Sequence, residues 1–431
     1  MLKNYLKITL RNILKYKGYS IINISGLAIG LAAGLLILIY VQDELSYDNY
    51  HRDLDRVFRI VLDVQSQAGD IPYATTPSSL TLALRNEYSQ VEHAARLMSN
   101  PEITIRYEDK KFNENRIFHA DPEIFDALNI QFLQGDATTC LNRPKTVVIN
   151  ETIAQKYFGA TNPLGKLLDF GYAQFEVTGA IKNFPQNSHL KYDFLLSLKP
   201  FDNPDWMAQG WDNYDGQSSL TYTYIKLKPN CDVKAVANHI KNLSDRYAGG
   251  MQLKASGIQQ TFSLQPIKDI HLHSNRRNEV EAPGNATDIA IFSTVAILIL
   301  LIACLNFINL TTARATTRAK EVGMRKVLGA FRSKLIKQFL GESLILTMIS
   351  LVIAIVIIEL SLPWFNTLVN KELNFDLFSN AKNMFYLIGI TLFVGLIAGS
   401  YPAFLLASFH PAKILRGASN DGRQGVAVRK I

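Results

Sequence analysis

Residues 21–41 read IINISGLAIGLAAGLLILIYV. The stretch carries no charged side chain, and as a helix it would extend about 31 Å, close to the thickness of one hydrocarbon core. It is either a cleavable export signal or a permanent anchor. It is longer than the apolar core of a signal, and the flank that follows is acidic (Asp43, Glu44) with no small-residue cleavage site before it. That makes it an anchor.

Three further runs repeat the pattern. Ile289 to Ala313 ends in Asn306, Asn309, Thr311 and Thr312; Leu344 to Trp364 carries one acid, Glu359; Met384 to Phe409 is uncharged. Nothing comparable lies between residues 42 and 287. The expected fold is therefore an integral membrane α-helical protein of four transmembrane helices, with a large α+β extracytoplasmic domain inserted between helices 1 and 2. The expected divisions are a cytoplasmic amphipathic helix over 1–20, helix 1 over 21–41, the outer domain over 42–287 and helix 2 over 288–313. A cytoplasmic loop or helix over 314–343 follows, then helix 3 over 344–364, a short outer loop over 365–383, helix 4 over 384–409 and a tail over 410–431.

The 431 residues carry a formal charge of +8, which calls for an anionic partner, nucleic acid or the acidic inner face of a membrane. The basic segments run directly into uncharged apolar spans, which fits lipid and not nucleic acid. Lys3, Lys7, Arg11, Lys15 and Lys17 precede the first span; Arg314, Arg318, Lys320, Arg325, Lys326, Arg332, Lys334 and Lys337 lie between the second and third; Lys413, Arg416, Arg423, Arg429 and Lys430 follow the fourth. The flank after the first span is acidic (Asp43, Glu44, Asp48) and the 365–383 loop is nearly neutral. Excess Lys and Arg marks the cytoplasmic side. Both termini are thus expected inside and residues 42–287 outside. In 2-LKNYLKITLRNILKY the basic residues step by four along one side, as in a helix lying on anionic lipid.

In the outer domain, 176-EVTGAIKNF and 221-TYTYIKLK alternate with the period of half-buried strands, while 79-SLTLALRNEY and 232-DVKAVANHIKNLSDRY read as helices. Turn signals recur at Gly135-Asp136, Asn162-Pro163 and Pro185-Gln186-Asn187, and the domain is long enough for two lobes. Its chemistry is sparse. His271 and His273 in 269-DIHLHS would share a strand face, an incomplete ligand set, and a strand end with one packed and one solvated histidine is the preferred reading. Asp48, His51, Asp53 and Asp55 read as a solvated face. Cys140 and Cys231 could pair in an oxidising compartment, although two buried apolar thiols are the favoured reading, and Cys304 lies in the second span. There is no G-x-S-x-G, H-E-x-x-H or G-x-x-x-x-G-K-[ST] pattern. No metal, cofactor or catalytic set is expected in this chain.

Within the membrane, Gly26, Gly30 and Gly34 form a G-x-x-x-G-x-x-x-G ladder and Gly395 and Gly399 repeat it, spacings that let helices approach closely. Asn306 and Asn309 could bond across helices or lie at the interface. Glu359, near Pro363 and the outer end, can snorkel to water. The cytoplasmic stretch 317-TRAKEVGMRKVLGAFRSKL places Met324, Val327, Leu328, Phe331, Leu335 and Phe339 on one arc of a single helix, with Arg325, Lys326, Arg332 and Lys337 outside it. Gly323 and the Gly329-Ala330 pair leave bare backbone, which suits a close protein partner or a bend; spacing does not choose between them.

Residues 312-TARATTRAKEVGMRKVLGA resemble the cytoplasmic-loop signature of the permeases typified by MacB and FtsX, members of ABC-type systems. The segment 12-NILKYKGYSIINISGLAIG is similar to their first span, 145-KTVVINETIAQKYFGATNPLGK and 176-EVTGAIKNFPQNSHLKYDF to their extracytoplasmic core, and 400-SYPAFLLASFHPAKILRG to the end of their last span. The resemblance implies a dimer, or pairing with a second permease module. It also implies a separate cytoplasmic ATPase that carries the ATP and docks on the 314–340 loop. Arg318, Lys320, Glu321, Gly323, Arg325, Lys326, Gly329 and Ala330 match the loop motif and carry an implied role in ATPase coupling, not catalysis. The implied mechanism is mechanotransmission to the outer domain, with a periplasmic partner or cargo. The closing GRQGVAVRKI looks like the linker that follows the first module of two-module relatives, so the chain is expected to be either a first half or a single module that dimerises. The alternative function is a non-transporting receptor or scaffold whose outer domain binds an envelope protein or regulates a cell-wall hydrolase. A membrane-anchored hydrolase would rest on His271 and His273 alone.

Overall fold

The computed structural model describes residues 11, 13–51, 53–199, 221–247, 255–375 and 381–408. Most of the expected amino-terminal amphipathic helix and the 410–431 tail lie outside them. The chain divides into two compact units, Met1–Asp43 with Thr287–Ile431, and Glu44–Ala286.

In the first unit four helices are long and apolar enough to cross a membrane: Lys17–Leu45, Ala286–Ala313, the 38-residue Arg332–Val369, and Ala381–Ser408, apolar enough over Met384–Ser408. Glycines set how they pack. A Cβ on Gly30 would stand 2.5 Å from Ala303 Cβ, one on Gly26 2.9 Å from Asn306 Nδ2, and one on Gly34 3.0 Å from Leu300. The first ladder is thus the face on which the second helix lies, and Asn306 points across that contact. On the fourth helix, a Cβ on Gly399 would stand 2.6 Å from Ser343 and one on Gly395 3.0 Å from Leu344 and Thr347. Lipid tails are as apolar as the side chains, so such close packing, not the hydrophobic effect, holds the helices together. Leu27, Leu31, Phe307, Ala354 and Ile358 fill the space between them. Ser350 Oγ donates to Ile24 O at 3.2 Å, joining third helix to first. Glu359 is exposed.

The second unit is built on one continuous sheet of thirteen strands among the described residues. Eleven of them run in the order Gln259–Pro266, Val57–Gln65, Tyr222–Leu227, Val91–Ser99, Ile117–Ala120, Phe194–Ser197, Thr146–Asn150, Gln174–Ile181, Leu167–Asp169, Ile103–Tyr107 and Lys110–Glu114, while Ile71–Tyr73 pairs with Val57–Gln65 and Phe132–Gln134 with Gln174–Ile181 off that path. Most pairs are antiparallel; Gln174–Ile181 runs parallel to Thr146–Asn150, and Phe194–Ser197 parallel to Ile117–Ala120. Alternation along Val57–Gln65 feeds two cores: Val57 enters one with Leu97, Phe125 and Leu195, while Phe58, Ile60 and Leu62 enter another. Helices Ser78–Glu87 and Val233–Tyr247 cover the latter through Leu80, Leu84, Val236 and Ile240. Tyr157, Phe170, Phe175 and Phe194 form a third core near the other end. Arg59 is fully buried; its guanidinium donates to both carboxylate oxygens of Glu279 at 2.7 Å and to Gln265 Oε1 at 2.8 Å. A charge taken from water needs such complete pairing.

Three sequence readings are corrected here. Asp48 and His51 are buried, and only Asp53 and Asp55 are exposed. Asp48 Oδ1 accepts from the His189 amide at 3.1 Å and lies 2.8 Å from His189 Nδ1, while His51 Nδ1 donates to Leu128 O at 2.9 Å. Burial alone would raise the Asp48 pKa, but the His189 charge and hydrogen bonds hold it below the usual carboxylate range. Burial lowers that of His51. Second, 270–273 is a short helix and not a strand; His271 is packed against Glu44 at 2.9 Å and His273 is exposed. Third, Cys231 is half-buried, where a buried thiol was favoured; Cys140 is buried, and both are free thiols. Burial pushes the Cys140 thiol up to about 12.

Candidate functional site

The 317–335 motif is not one helix. Ala315–Val327 forms a first helix and Arg332–Val369 continues straight into the third span. Between them Gly329 takes φ +90°, a left-handed conformation that costs an L side chain strain. Its amide donates to Lys326 O and the Ala330 amide to Arg325 O, each at 3.0 Å. This is the paired bonding by which a glycine just past a helix end satisfies the last carbonyls. A Cβ on Gly329 would meet nothing within 4 Å. Of the two roles open to this glycine, the bend is the one the backbone displays.

The elbow splits the expected apolar arc. Leu335 and Phe339 turn inward with Val322, Ala403 and Leu406. Met324, Val327, Leu328 and Phe331 are left 61%, 64%, 82% and 71% exposed around the tip. Four large apolar side chains within eight residues are exposed together, more than the singly scattered apolar residues of an ordinary surface.

The charged motif residues hold the elbow in place. Arg318 makes a two-pronged pair with Glu342, at 3.0 and 2.6 Å, with both side chains largely buried. Lys326 Nζ donates to Ala407 O at 2.7 Å, tying the Ala315–Val327 helix to the fourth spanning helix. Arg325 reaches Gln338 at 2.8 Å and Glu321 at 2.6 Å. Gly323 is buried inside the helix and Ala330 half-buried; the Lys320 side chain lies outside the described set.

Sequence reasoning missed a second cluster. The Arg314 guanidinium lies 3.4 Å from the Tyr16 ring centroid and 4.7 Å from that of Tyr19, and Tyr19 OH donates to Thr311 Oγ1 at 2.9 Å. Tyr16 and Tyr19, three apart at the mouth of the first span, were the available signal, since tyrosines gather at membrane interfaces. Among the described residues no group of three or more His, Cys, Asp or Glu side chains gathers as a metal site. The arrangement is an elbow braced against the third and fourth spanning helices.

Comparison with known proteins agrees with this architecture. Residues 20–243 match the profile of the MacB-like periplasmic core domain, and residues 293–411 that of the FtsX-like permease C-terminal region. The macrolide export ATP-binding/permease protein MacB of Bdellovibrio bacteriovorus is 22% identical over 278 residues, covering 64% of this chain and 39% of that protein. The protein of the same name from Neisseria gonorrhoeae is 20% identical over 419 residues, covering 95% and 60%. The chain thus spans less than two thirds of the length of each. Among solved structures, the periplasmic region of MacB from Actinobacillus actinomycetemcomitans covers 49% of this chain and 90% of that one, at 14% identity and a TM-score of 0.34. With four apolar helices flanking a periplasmic core domain, this is a multipass membrane protein, and the chain belongs to the MacB/FtsX-like family of ABC transporter permeases.

Proposed function

We propose that this permease is a mechanotransmitter: a separate cytoplasmic ATPase docks on the elbow at 315–331, and its ATP-driven movement is passed through the spanning helices to the periplasmic domain. The observation that carries the reading is the exposed tip of Met324, Val327, Leu328 and Phe331 on a helix that is itself fixed to the third and fourth spanning helices. An apolar patch on a rigid support is what a partner needs in order to push. Arg318, Arg325, Lys326 and Gly329 then serve coupling by holding the patch in position, and Glu321, 57% exposed at its side chain, remains at the rim for a partner.

The Lys/Arg distribution supports both termini on the cytoplasmic side and residues 42–287 in the periplasm. ATP belongs to the partner. The complex works as a homodimer or with a second permease module, on cargo exported from the cell or on the envelope itself; macrolide-like drugs, peptides and lipoproteins all suit the arrangement. The test is affinity purification in mild detergent. The full chain should bring down a soluble ATPase, and Leu328→Asp with Phe331→Asp should abolish that recovery while the chain still accumulates in the membrane. Undiminished ATPase recovery with both aspartates in place would refute the docking surface.

A further inference from the structure

The chain enters the periplasmic unit at Glu44 and leaves it at Ala286. Inside that unit the two crossings meet. The Glu44 carboxylate lies 2.9 Å from His271 Nε2, both buried, and the Tyr47 ring stacks on the His271 imidazole with centroids 3.3 Å apart and planes within 4°. Gly284 closes the group from the returning side. A Cβ there would stand 2.6 Å from Glu44 Oε2 and 2.8 Å from His271 Nε2. Its backbone is outside the left-handed region, so space and not conformation demands the glycine.

Each crossing is also tied to the domain behind it. On the way in, the Asp48 amide donates to Asn187 O at 2.9 Å, Asn187 Nδ2 to Ser46 O at 3.0 Å, and His51 to Leu128 O at 2.9 Å. On the way out, Glu279 holds Arg59, Tyr222 OH donates to Asn278 O at 2.7 Å, and Lys191 pairs with Glu281 at 2.9 Å. The first spanning helix runs unbroken to Leu45, through Glu44, and the second begins at Ala286, two positions after Gly284.

We propose that Glu44, Tyr47, His271 and Gly284 form a clasp that locks entry and exit together, so that displacement of either connecting helix reaches the domain as one rigid input. This rests on the mechanotransmission reading for its purpose, though not for its existence. Two linkers fastened only to themselves would let one helix move while the other side of the domain stayed still. A closed clasp forbids that.

The test is amide hydrogen exchange on the full chain in lipid nanodiscs. Gly284→Ala places a Cβ against the Glu44 carboxylate and the imidazole, forces them apart and leaves the other ties intact. Exchange should accelerate about tenfold or more in both 44–51 and 270–286, with Val57–Gln65 still protected. Acceleration confined to 280–286, with 44–51 as slow as in the parent, would overturn the clasp. Tyr47→Ala is the second variant, approached from the entering side; it should loosen 270–286, and unchanged exchange there would overturn the clasp equally. With the partner ATPase and a non-hydrolysable ATP analogue, the parent should respond at 315–327 and in the periplasmic sheet. Gly284→Ala should keep the first response and lose most of the second. A sheet response as large in the variant as in the parent overturns the clasp; absence of any response at 315–327 in the parent refutes the coupling reading and leaves the exchange result standing.

Discussion

Replacing Gly329 separates the two roles a glycine can play at a docking loop. At φ +90°, alanine costs about 1 kcal/mol relative to glycine and a β-branched residue about 2 kcal/mol, whereas asparagine tolerates the left-handed region at a fraction of that. No steric term enters, because a Cβ finds open space. If the bent elbow is the binding-competent form and the free chain populates a straightened form at least as much, these costs come through nearly in full, so ATPase affinity should fall about fivefold for Gly329→Ala and about thirtyfold for Gly329→Val, with Gly329→Asn close to the parent. The assay is titration of the partner ATPase against the purified chain in nanodiscs. If the glycine instead mattered because a partner touches its bare backbone, asparagine would be as damaging as valine. That ranking, or an alanine variant that binds like the parent, would refute the capping argument.

Gly30→Leu should weaken the spanning bundle by about 1–3 kcal/mol, since even a Cβ would lie 2.5 Å from Ala303, and the melting temperature in detergent should drop accordingly. Arg318→Ala leaves the largely buried Glu342 carboxylate without its two-pronged partner and should cost about 1–3 kcal/mol; adding Glu342→Gln should recover a good part, which a double-mutant cycle on thermal unfolding would measure. Burial lowers the His119 pKa to about 4, below its unfolded value of about 6.5. The unfolded chain then takes up the proton first, so stability is full above pH 6.5 and falls by about 3 kcal/mol as pH drops towards 4. His119→Asn should flatten that slope in urea titrations; an unchanged slope would assign it elsewhere. At pH 8 iodoacetamide should modify the half-buried Cys231 well before Cys140, whose thiol is pushed up to about 12.

The spans were legible because lipid imposes an unbroken absence of charge, and strands such as 174–181 and 222–227 because half-burial imposes alternation. The elbow was not. A glycine past a helix end and a glycine in a contact face look alike until the Gly329 and Ala330 amides are seen to bond Lys326 and Arg325. Asp48 and His51 were misread because their burial depends on His189 and Leu128, far along the chain, and local polarity argues for solvent. Lys326 and Arg318 looked like partner-facing charges, yet their partners Ala407 and Glu342 lie on other spanning helices.

The buried Arg59 has a consequence for how the protein is made. It lies on the first strand of the periplasmic sheet, whose neighbours are Tyr222–Leu227 and Gln259–Pro266, and its counter-ion is Glu279. Until the ribosome has passed Glu279, that strand has neither full pairing nor a neutralised charge, and pairing across so long a separation is slow. The exported segment must therefore wait, largely unfolded, while more than two hundred residues cross the membrane. The second span follows within a few residues of Glu279, so closing of the sheet and insertion of that helix fall at nearly the same moment of synthesis.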